Sequence, residues 1–106
     1  SSAFGPLANG SVIEAALCDD DPWDYYSFDL TQPAAAHLTL DQLPQGTDYD
    51  LYLYPSNGGD ILARSINKDT QPEAIDLALP SGRFYIRVYP STSARSPQPY
   101  RLGLWW

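Results

Sequence analysis

This 106-residue chain has no methionine, one histidine and one cysteine, and six basic residues against thirteen acidic ones. Each shortage removes a class of function. With Cys18 as the lone thiol, no disulfide can close within the chain. One histidine and one cysteine cannot build an ordinary zinc site, and the His-Glu-x-x-His pattern of a metalloprotease helix does not occur. His37 has no Gly-x-Ser-x-Gly elbow to serve, and there is no glycine-rich phosphate loop. The chain is therefore expected not to be an enzyme, and His37 reads as a surface or strand-edge side chain. A net charge of −7 repels polyanions, which argues against nucleic acid held by phosphate neutralisation. No run approaches the ~18 apolar residues of a membrane helix. A chain without an initiator methionine reads as a mature form or an excised piece of something longer.

What the chain does have is strand material. Apolar residues make up 43% of it, enough for one core without staples. A domain of this length buries roughly 65% of its unfolded surface, so residues 1–106 are expected to form one domain. No apolar pattern of helical period persists for ten residues. Short alternating runs recur instead, divided by turns rich in proline and glycine: Ser11–Leu17, Tyr25–Leu30, Ala36–Leu43, Asp50–Tyr54, Ile61–Ile66, Ala74–Leu79, Arg83–Tyr89 and Pro99–Trp105. Eight strands at this spacing predict an all-β sandwich or barrel. Alternation turns Tyr26, Phe28, Leu30, Leu38, Leu40, Leu43, Leu51, Leu53, Ile75, Leu77, Leu79, Phe84, Ile86, Val88, Leu102 and Leu104 inward. The stretch Asp48–Leu62 reads as an antiparallel hairpin closed by Pro55-Ser56-Asn57-Gly58-Gly59.

The same parity turns Tyr52, Tyr54, Tyr85, Arg87 and Tyr89 outward. Tyrosine offers apolar area at low entropic cost and a hydroxyl for hydrogen bonding, so these five form a candidate ligand-binding face for an extended peptide, a collagen-like rod or a sugar chain. The alternative is ordinary cross-strand aromatic pairing. Asp19, Asp20, Asp21 and Asp24 form an acidic loop of the kind that can turn oxygens onto a hard cation; the alternative is a solvated turn with Asp24 capping backbone amides. Asp48 and Asp50 form a second acidic pair, read as turn residues bonding the local backbone. Of Trp105 and Trp106, adjacent on a strand, at most one can face the core. Cys18 reads as a small buried side chain.

Four blocks, in this order, carry a resemblance. They are Asp24-Tyr25-Tyr26-Ser27-Phe28-Asp29-Leu30, Asp48-Tyr49-Asp50-Leu51-Tyr52-Leu53-Tyr54 with Asn57-Gly58, Ser81-Gly82-Arg83-Phe84-Tyr85-Ile86-Arg87-Val88, and Pro99-Tyr100-Arg101-Leu102. Together they resemble the bacterial pre-peptidase C-terminal domain, the small sandwich appended to many secreted proteases and related to the collagen-binding domain of clostridial collagenases. The resemblance implies an antiparallel, jelly-roll-like β-sandwich. It implies a secreted bacterial accessory domain, monomeric, that binds an extracellular protein or polysaccharide or contacts its parent's catalytic domain, and that aids secretion or stability. A ligand-free spacer and a carbohydrate-binding module are the alternatives. By position, Asp21 and Asp24 match the aspartates that hold calcium in the collagen-binding relatives. The Glu-Pro-Asn-Asp-like segment upstream of the first strand in calcium-binding members is not in this sequence, so calcium is implied with a reduced ligand set.

Overall fold

The computed structural model describes residues 4–17, 24–43, 48–56, 59–65, 72–90 and 96–106. Nine strands run through these residues, with no helix among them: β1 (Phe4–Leu7), β2 (Ser11–Leu17), β3 (Asp24–Leu30), β4 (Ala34–Asp41), β5 (Tyr49–Pro55), β6 (Ala63–Ser65), β7 (Glu73–Leu79), β8 (Gly82–Pro90) and β9 (Ser96–Trp105). They form two sheets, ordered β1-β3-β8-β5-β6 and β2-β9-β4-β7. Only the β5–β6 hairpin joins neighbours within one sheet, and every connection from β2 to β5 and from β6 to β9 changes sheet. That interleaving is a jelly roll, two four-stranded sheets with an extra strand, β1, added in parallel to the edge of the first.

The expected eight strands are therefore nine. Phe4-Gly5-Pro6-Leu7 has no alternation to betray it, and proline is tolerated in a strand only at an edge. Its close approach depends on Gly5, at φ 145°, where a Cβ would lie 2.6 Å from the Ser27 carbonyl oxygen. The hairpin is present, pairing Leu51 with Ser65 and Leu53 with Ala63. Its second strand starts two residues later than expected and leaves Ile61 and Leu62 exposed. Its Asn57-Gly58 tip lies outside the described residues, as do residues 18–23, 44–47, 66–71 and 91–95.

Alternation placed the core well. All the residues expected inward are buried except Leu77, which is half-buried against the cluster. Leu7, Ala36, Tyr49 and Tyr100 join them. Each large apolar side chain taken from water stabilises the fold by about 1.5–3 kcal/mol. Trp106 packs on this core with its ring 5.8 Å from that of Phe28, while Trp105 faces out, so one tryptophan of the pair faces each way. The start of β2 and the end of β9 are joined at Asn9. Its side-chain amide donates to the Trp106 carbonyl at 2.8 Å and its side-chain carbonyl accepts from the Trp106 amide at 2.9 Å, adding a rung to the β2–β9 ladder.

Candidate binding face

The five residues expected to form a ligand-binding face come from two neighbouring strands. β5 and β8 pair with Tyr52 opposite Arg87 and Tyr54 opposite Tyr85, and the next outward position of β8 is Tyr89. Their inward partners Leu51, Leu53, Ile86 and Val88 are fully buried, which pins the parity of both strands. The Arg87 guanidinium carbon lies 5.5, 4.8 and 5.4 Å from the ring centres of Tyr52, Tyr54 and Tyr89. Arg87 Nη2 also donates to the Tyr54 hydroxyl. Tyr52 meets Tyr89 edge-on at 6.2 Å, and Tyr54 lies 6.4 Å from Tyr52. One arginine thus fixes three tyrosines through cation–π contacts, each of the order of 0.5–1 kcal/mol or more as water is excluded.

Two neighbours enlarge this face beyond the expected five. Tyr25 of β3 stacks on Tyr85 with ring centres 5.4 Å apart and planes within 6°. Arg64 of β6 stands opposite Tyr52. Tyr25 was legible by parity, since Tyr26 beside it points inward. What could not be read was that β3 and β6 flank the β8–β5 pair.

The acidic residues behave differently from expectation. Asp50 is opposite Tyr89, yet it is only 4% exposed, and its Oδ1 has no hydrogen-bond partner among the described residues. Burial first, then the Asp48 and Glu73 carboxylates, push its carboxyl up to about 7. The same burial, with the Asp50 charge nearby, raises the Tyr52 hydroxyl. Asp50 is thus a buried acid beneath the tyrosine face and not a turn residue. Glu73 is buried too, its Oε1 accepting from Ser65 Oγ at 2.6 Å.

Asp24 serves as an acceptor inside the sandwich. Tyr100 donates its hydroxyl proton to Asp24 Oδ2, which leaves Tyr26 to donate to the Tyr100 oxygen at 2.6 Å. Burial raises both phenols, that of Tyr26 to about 12. Asp24 therefore anchors a buried hydroxyl chain. Its expected calcium partner, Asp21, lies outside the described residues. Among the described residues no group of three acidic, histidine or cysteine side chains is arranged to hold a metal ion. Asp24 Oδ2 is engaged by Tyr100, and Asp19 and Asp20 lie outside the described residues as well.

The family model described as the bacterial pre-peptidase C-terminal domain matches residues 23–90, more than half of the chain, and the chain belongs to that family. Domains of this family are non-catalytic accessory domains. Among solved structures, the chain is similar to the pre-peptidase C-terminal domain of a collagenase from Bacillus anthracis, with a TM-score of 0.78 and 15% identity over 92% of this chain and 90% of that one. It is also similar to a periplasmic inhibitor of g-type lysozyme from Aeromonas hydrophila, with a TM-score of 0.59 and 15% identity over 97% and 90%. A third likeness is to CBM35 from Cellvibrio japonicus Abf62, with a TM-score of 0.50 and 18% identity over 92% and 66%. At these identities the likenesses establish the fold. No curated protein matches the sequence.

Proposed function

We propose that this chain is the accessory domain of a secreted bacterial peptidase and that it holds an extracellular polymer, protein before polysaccharide, against its tyrosine face. The observation that carries the reading is the arrangement around Arg87. Tyr52, Tyr54 and Tyr89 surround the guanidinium, and Tyr85 with Tyr25 extends the face along the strands. Rings already held by a neighbour lose little freedom when a ligand arrives, so their area contributes to affinity at reduced entropic cost. An extended chain lying across β5 and β8 would meet several rings in a row. Membership of the family, and the collagenase domain among its structural likenesses, supports the peptidase context.

The test is adsorption of the intact chain to insoluble collagen, casein, cellulose and chitin, comparing wild type with Tyr52→Ala, Tyr89→Ala. Binding to a protein matrix that falls about tenfold or more in the variant, with the melt retained, supports the reading. Equal adsorption of both proteins would discard the face. Absence of binding to every matrix favours a spacer without a ligand. A carbohydrate-binding role is the second reading, favoured by the shared fold of the CBM35 domain.

A further inference from the structure

The outer surface of the other sheet carries a second group of side chains that the tyrosine face does not explain. Trp105, near the end of β9, is 43% exposed, and its six-membered ring folds back over Gly103. A Cβ at Gly103 would lie 2.7 Å from Thr39 Oγ1 but only in ordinary contact, 3.4 Å, with Trp105 Cζ3, so the glycine makes room for the Thr39 hydroxyl beside the indole. Beside it, the His37 ring stacks at 5.6 Å between centres and 22° between planes. His37 is held in turn by Asp76, with Nδ1 2.6 Å from Oδ1. The carboxylate can only accept, so the neutral imidazole donates from Nδ1 and its Nε2 is an acceptor. The Asp76 side chain remains 72% exposed. Val12, paired with Gly103 across β2 and β9, is exposed on the far side.

We propose that Trp105, His37, Asp76 and Thr39 form a subsite for one pyranose ring of a neutral polysaccharide. A flat indole offers apolar and weakly polar contact to the C–H face of a sugar, and Val12 extends that area. The polar groups at its border are of both kinds. Asp76 and His37 Nε2 accept hydrogen bonds from sugar hydroxyls, and the Thr39 hydroxyl can donate or accept. Charge decides between occupants. The Asp76 carboxylate and the net charge of −7 disfavour uronic or sulfated sugars. The nearby cation Arg101 is spent on Asp41, with two hydrogen bonds of 2.8 Å. A basic side chain would have to share the carboxylate that His37 already occupies. The subsite is separate from the tyrosine face, and either can fail without the other.

The test is a tryptophan-fluorescence titration of the whole chain with cellohexaose, xylohexaose, mannohexaose and chitohexaose. Oligogalacturonate and an arginine-rich peptide serve as comparison ligands. A saturable change with at least one neutral sugar is expected. Isothermal calorimetry should show that Trp105→Ala and Asp76→Asn weaken it by about tenfold or more while Tyr52→Ala leaves it unchanged. Trp105→Phe should retain part of the affinity, which separates loss of the ring from loss of fold. No response to any neutral sugar, equal binding by Trp105→Ala, or a response to the basic peptide or oligogalacturonate alone overturns the proposal.

Discussion

The two outer faces of this sandwich rest on nearly the same inner surface, and they are built by opposite means. Over the first sheet, tyrosines stand close together and an arginine fills the space between them. Over the second, one indole lies against Gly103, and two hydrogen-bonded pairs border it: His37 with Asp76, and Arg101 with Asp41. The core constrains every second residue of a strand, while its neighbours are free to carry chemistry. A crowded face and an opened one can therefore share a scaffold without disturbing it. The first presents a long row suited to a chain, the second a patch the size of one ring.

The largest effect should erase the comparison altogether. Leu53→Ala, inward on the first sheet, and Leu38→Ala, inward on the second, each remove a fully buried side chain. Each should cost about 3 kcal/mol. At this domain size that lowers Tm by roughly 10–15 °C, and calorimetry should find the two variants equivalent. A variant that melts like wild type would show that its sheet does not share the common core.

The next prediction separates the faces. Arg87→Ala should loosen Tyr52, Tyr54 and Tyr89 and reduce adsorption to a protein matrix, whereas Arg101→Ala, beyond the sandwich on the other surface, should leave adsorption unchanged. Equal losses in the two variants would mean that the matrix is held by general charge rather than by the rings.

A pH dependence belongs to Asp50, beneath the first face. The folded Asp50 carboxyl keeps its proton up to about 7, whereas in the unfolded chain it ionises near its ordinary 3.8. Between these values the native state binds more protons, so this group's contribution to stability is present at low pH and is lost as pH rises through the window. Urea midpoints at about pH 5 and about pH 8 should differ less in Asp50→Asn than in wild type, with the gain in the variant found at the higher pH. An unchanged difference would show that Asp50 titrates like a surface acid.

Calcium would give the smallest shift. If Asp21 and Asp24 contribute to a site, melts in millimolar calcium should exceed those in chelator, and Asp24→Asn should remove the gap. Coincident melts discard calcium for this chain.

The strands and their inward faces could be read because hydrophobic alternation is a local signal, and Leu51-Tyr52-Leu53-Tyr54 states it plainly. β1 could not be read, because Gly5 and Pro6 interrupt so short a run and its pairing with β3 depends on residues over 20 positions away. The outward parity of Tyr85, Arg87 and Tyr89 was legible, but that β8 lies between β3 and β5 was not, since pairing is a property of the closed sheets. Tyr100 shares the parity of Leu102 and Leu104, and its hydroxyl disguised a core residue whose polar end is satisfied by Asp24. Asp50 and Glu73 ran against the ordinary expectation that acids face water. The stacking of Trp105 on His37 was invisible in sequence because it depends on β4 lying beside β9 in the closed sheet.

The Asn9 carboxamide has a mechanical meaning. The start of β2 and the end of β9 lie side by side, with Ser11 opposite Leu104, so tension applied between Asn9 and Trp106 would open the ladder like a zipper, one rung at a time. The carboxamide is the first rung to bear the load. Under such a pull the force at which this ladder starts to open is set less by the core than by a single asparagine.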